Sequence, residues 1–160
     1  MRGEGFETLK PTLQSLLLAD HVYHDSGTGK FVIAGTFNGL GVLRNAEGGQ
    51  TQIEVGSQEL VKRSATEVQK AGNPWVYISL TDVKGKVPLQ IRYESLSGEN
   101  VLFTANFDAM SDNPLKTVEL AFPMPVLPAI IGVYSLELLY EGESLGSHRV
   151  TVAELKNVND

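Results

Sequence analysis

From Trp75 to Val152 apolar and polar residues alternate with a period of two. Val76, Ile78 and Leu80 alternate with Tyr77, Ser79 and Thr81, and Leu89, Ile91 and Tyr93 with Gln90, Arg92 and Glu94. Val101, Phe103, Ala105 and Phe107 continue the pattern, then Val118, Leu120 and Phe122, then Tyr134, Leu136, Leu138 and Tyr140. Successive side chains of a strand point to opposite faces, so each segment buries one face and wets the other, as antiparallel sheets do. Polar turn clusters separate the segments at 82–86, 97–100, 111–114 and 141–143. Pro123, Pro125 and Pro128 remove ladder donors, so 123–128 reads as a rigid crossover, suited to joining two sheets.

The first half is less regular. Two apolar runs, 16–25 and 30–37, flank the cluster Asp25-Ser26-Gly27-Thr28-Gly29 and read as a hairpin, with Gly35 interrupting one face. Asn38-Gly39 and Gly48-Gly49 mark turns, and Gln52-Ile53-Glu54-Val55 suits a short edge strand. Residues 57–71 have helical spacing: Ser64 and Glu67 form a capping box, Leu60, Val61, Ala65 and Val68 share a side, and Gly72 stops the run. The expected organisation is an arm over 1–14, one all-β domain over 15–155 with an excursion at 45–73, and a polar tail over 156–160. Seven to nine strands separated by turns predict an antiparallel two-sheet sandwich of immunoglobulin-like kind.

Composition narrows the function classes. The 160 residues include no cysteine, which removes disulfides, thiolate metal sites and cysteine nucleophiles. A net charge of −6 disfavours a nucleic-acid or anionic-membrane surface. The run Leu16-Leu17-Leu18-Ala19 is too short for a signal-peptide core, and no stretch approaches the length of a membrane span. The expectation is a cytoplasmic protein.

Several groups invite a chemical reading. His21, His24 and Asp25, with Asp20 and the distant His148, are the densest set of metal-ligand types. On a regular strand His21 and His24 point to opposite faces, so the simpler reading is polar residues at the end of a hairpin. Asp20 shares parity with Leu16, Leu18 and Val22 and would point inward, where it must find donors. Gly27-Thr28-Gly29-Lys30 imitates a phosphate loop, but the positions needing Gly and Ser/Thr hold His24 and Phe31, and a strand follows. Trp75 and Tyr77 are the candidate ligand surface, an aromatic pair on the outer face of a sheet.

The segments Leu17-Leu18-Ala19-Asp20-His21-Val22-Tyr23 and Thr28 through Asn38 resemble the N-terminal signature of a bacterial family of uncharacterised β-sandwich domains, a domain of unknown function. Tyr77-Ile78-Ser79-Leu80-Thr81-Asp82, Pro88-Leu89-Gln90-Ile91-Arg92 and Gly132 through Gly146 fit the same pattern, while 45–73 departs from it. The resemblance implies the fold and carries no catalytic residue.

The expectation is therefore a non-enzymatic binding or assembly module with no cofactor. Its partner is another protein or a second copy, met at strand edges or at 45–73. The alternatives are small-ligand or carbohydrate binding at Trp75 and Tyr77, or a metal site around His21 and His24.

Overall fold

The computed structural model describes residues 9–44, 51–55, 74–97, 100–124 and 130–154. Among these residues the fold is all-β, with ten strands in two sheets. The first sheet has four strands in the order β2 (Lys30–Phe37), β1 (Thr12–Asp25), β5 (Trp75–Thr81), β8 (Val118–Pro123). The second has six: β4 (Thr51–Val55), β3 (Gly39–Arg44), β10 (Glu143–Glu154), β9 (Gly132–Tyr140), β6 (Gly85–Ser95) and β7 (Val101–Ser111).

The two sheets share one core. Leu18, Val76, Ile78 and Leu80 from the first and Ile91, Tyr93, Leu136, Leu138 and Val150 from the second are fully buried in a single cluster. These are the inward positions of the period-two pattern. Burying each such aliphatic side chain contributes about 1.5–3 kcal/mol. The sheets approach closely where β10 crosses β1: a Cβ at Gly146 would lie 2.6 Å from Leu13 Cδ2. Turn chemistry agrees with the sequence. Glu141 and Gly142 both have positive φ (50° and 80°), which makes a two-residue hairpin turn between Tyr140 and Glu143. Pro88 lies in the interior strand β6, but β6 meets β9 only from Gln90 onward, so the missing N–H leaves that ladder intact.

Three expectations change. The second sheet is mixed, because β3 runs parallel to β10. Asn38-Gly39 is not a reversal: the chain leaves β2 in one sheet and continues after one residue as β3 in the other. This corner adds a strand beyond the expected seven to nine. It is held by Thr151 N–H donating to Asn38 O (2.9 Å) and by His148 Nε2 against Phe37 O (2.9 Å). A carbonyl only accepts, so His148 Nε2 carries the proton there. β1 begins at Thr12, inside the arm expected over 1–14. The short strand expected at 52–55 is present as β4, while the helix expected over 57–71, the rest of the 45–73 excursion and the tail over 156–160 lie outside the described residues.

Third, Asp20 is exposed. Leu16 and Leu18 join the main core, but Ala19 and Val22 join a second cluster on the other face of the sheet. The alternation changes phase at Asp20, which sits beside Gly35 on β2. Gly35 has φ 71°, and a Cβ there would lie 2.5 Å from Asp20 Oδ2. The carboxylate occupies the space a side chain at 35 would need.

Gly35→Ala should therefore destabilise the fold by about 1–3 kcal/mol for the left-handed backbone alone, and further for the displaced carboxylate. Gly29→Ala, at φ 69° with open space around it, should cost only about 1–2 kcal/mol. Urea denaturation of the two variants checks the order. Tyr93 gives a second test. It is fully buried, it stacks on Tyr134 with ring centroids 5.7 Å apart, and its hydroxyl has no partner among the described residues. Burial, with the nearby Tyr134, holds its phenol well above the ordinary range. Tyr93→Phe removes an unpaired polar group and should be neutral or stabilising by about 1 kcal/mol in the same assay.

Candidate functional site

The β1–β2 hairpin projects the residues that looked most chemical. Its turn is organised by Asp25. One carboxylate oxygen accepts from Gly27 N–H (2.9 Å) and the other from Thr28 Oγ1 (2.6 Å), while Gly29 N–H donates to Asp25 O (2.7 Å). The Thr28 hydroxyl, and then the Gly27 amide, hold the Asp25 carboxyl below its ordinary value. This is an aspartate turn, which accounts for the glycines of the phosphate-loop look-alike.

The histidines do not converge. His21 stacks on Tyr23 (5.7 Å), and His24 meets the edge of Phe31 (5.1 Å) on the other face of the hairpin. His148 is occupied at the corner beside Phe37. Among the described residues no group of three or more His, Asp or Glu side chains is placed to hold a metal ion.

Trp75 and Tyr77 do lie together on the outer face of the four-stranded sheet, yet Tyr77 is only 7% exposed. Leu17, Ala19, Phe31, Ile33 and Ala121 pack around them. The Tyr77 hydroxyl donates to Glu119 Oε1 on β8. Burial first, and then the Glu119 carboxylate, push the phenol up to about 12. The pair is thus a packed layer with one polar tie. A period-two reading assigns this face to solvent, and β5 instead is buried on both sides over Val76–Leu80.

Among the described residues, two open surfaces bear on binding. On the outside of the six-stranded sheet a depression of about 480 Å³ is lined by Gln90, Asn106, Asp108, Glu141 and Leu139. Gln90 Nε2 donates across the strands to Asn106 Oδ1 (3.0 Å). Nearby, Arg92 Nη2 donates to Glu137 Oε2 (2.6 Å). The other is the β2 edge. Among the described residues β2 pairs only with β1. From Phe31 to Phe37 it carries no charge and no proline. Val32 is 50% exposed and its cross-strand partner Tyr23 55%. The sequence did contain this signal, as an uncharged strand beside a turn, but not the fact that the strand would lie at an edge.

No protein-family model matches the chain, and no curated protein matches it. No helix among the described residues is long and apolar enough to cross a membrane.

The tyrosines provide a check on the packed face. A phenol whose folded value lies above its unfolded value near 10 stabilises the fold below that pH. That contribution is lost as pH rises from about 10 through the folded value of about 12. In an absorbance titration of the folded protein, Tyr77 should stay protonated above the ordinary tyrosine range. Tyr77→Phe should remove one late component, leaving that of buried Tyr93, and cost about 1.5–3 kcal/mol, the range for a hydrogen bond to a charged group.

Proposed function

We propose that this chain is an immunoglobulin-like β-sandwich that works by binding rather than catalysis, and that its contact surface is the β2 edge. The observation that carries the reading is an eight-residue edge strand with an uncharged stretch from Phe31 to Phe37 and half-exposed Val32. Unpaired strand edges are templates for another strand, and proteins that avoid pairing blunt them with charge, proline or short length. The other edges carry such devices: β8 holds Glu119 and ends at Pro123, β7 holds Asp108 in an ion pair with Lys86, and β4 is only five residues long and includes Glu54.

Connectivity supports the finer fold reading. β1, β5 and β8 follow the order A, B, E of immunoglobulin-type domains, and β10, β9, β6 and β7 the order G, F, C, C′. Tyr134, just inside β9 after the crossover, donates its hydroxyl to Ile130 O (2.7 Å), as a tyrosine corner does. The likeness to the uncharacterised bacterial family and a cytoplasmic setting belong to the same reading. The small-ligand or carbohydrate alternative draws its support from the groove beside Gln90, Asn106 and Asp108 rather than from buried Tyr77.

Selection of extended peptides from a random displayed library against the full chain tests the edge. Binders with alternating apolar residues are expected, and Val32→Lys should weaken them at least about tenfold, about 1.4 kcal/mol. Absence of any binder, or binders indifferent to Val32→Lys, would overturn the assignment to β2.

A further inference from the structure

We infer that the strand which fits the β2 edge is β2 of a second copy of this chain. Two copies then pair antiparallel about a two-fold axis and join their four-stranded sheets into one of eight strands. The inference rests on the β2-edge reading and adds the identity of the occupant.

The register follows from the residues. With the axis at Ile33, the two Ile33 residues face each other. Val32 lies opposite Ala34 of the second copy, Phe31 opposite Gly35, and Lys30 opposite Thr36. Every facing pair lacks a like-charge clash, which costs stability when directly opposed across strands. Phe31 is placed opposite Gly35, which has no side chain of its own to oppose it and whose Cβ space is taken by Asp20 of the same copy. The bend at Gly35 falls near the end of the paired stretch, so the central residues meet on regular backbone.

Charge complementarity selects a second copy over an arbitrary peptide. Lys30 is the single charge on β2 and is exposed. The Asp20 carboxylate is also exposed and lies over Gly35 of its own copy. Among the described residues neither forms an ion pair, and the Asp25 carboxylate across from Lys30 is committed to Thr28 and Gly27. In the proposed register Lys30 arrives one residue from Gly35 of the second copy. The Asp20 carboxylate there lies within the compass of its flexible four-carbon stem, across a strand spacing of about 4.8 Å. The two-fold makes this pair twice. An isologous contact of this kind closes on itself and leaves no β2 edge exposed.

Sedimentation velocity of the full chain across a range of concentrations is the test. Wild type should show a concentration-dependent species of twice the 17.4 kDa chain mass. Lys30→Glu and Asp20→Lys should each weaken dimerisation at least about tenfold, with circular dichroism unchanged. The double charge swap should restore it. A monomer at every concentration, a dimer indifferent to both single variants, or a double swap without rescue each overturns the pairing. A monomeric chain that still captures extended peptides at β2 overturns only this inference. A monomeric chain that captures none overturns the edge reading as well.

Discussion

Leu18, Ile78 and Leu80 from one sheet meet Ile91, Leu136, Leu138 and Val150 from the other in a single buried layer. Each element's position depends on feeding this layer. β1, β5 and β8 contribute from one side, and β6, β9 and β10 from the other. Gly146 lets β10 come close to β1, because any larger residue would displace Leu13. Asp82 stands at the rim of the same layer. It has φ 61°, accepts from Thr12 Oγ1 (2.7 Å), and donates its N–H to Pro114 O (3.0 Å), so the start of β1 and the loop before β8 are tied to one point.

The corner at Asn38 extends that layer into the second sheet. The chain passes from β2 to β3 without a reversal, and β3 lies parallel to β10. The carbonyls exposed by this crossing would be costly if left unpaired. Thr151 and His148 satisfy two of them. The histidine that looked available for a ligand is thereby a structural donor. Sequence distance gave no hint of this, because residues 37 and 148 meet only after both sheets have formed.

Much of the fold was legible in local pattern. The hairpin of β1 and β2, its Asp25 turn and the alternating strands from Trp75 onward depend on sterics and period-two burial, which act within a few residues; the crossover expected over 123–128 lies mostly outside the described residues. The candidate site was legible only in part. His21 and His24 fall on opposite faces, as strand geometry requires. Tyr77 falls on the face expected for it, but that face is packed, with its hydroxyl tied to Glu119. Alternation states which face a residue takes and is silent on what covers that face. Asp20 departs from its parity for a comparable reason: Gly35 adopts a left-handed backbone that shifts the phase of the pair, and parity assumes an unbroken strand.

The sequence by itself determined that this chain builds β-sheet, where most of its strands begin and end, and that no thiol chemistry is open to it. Tertiary structure alone decided which strands are neighbours, that β2 lies at an edge among the described residues, that β3 joins the far sheet, and which polar side chains are spent on holding corners. The division has one physical cause. Strand formation is read from residues adjacent in the chain, whereas edges, covered faces and paired carbonyls are properties of residues that meet only when two sheets close on a common core.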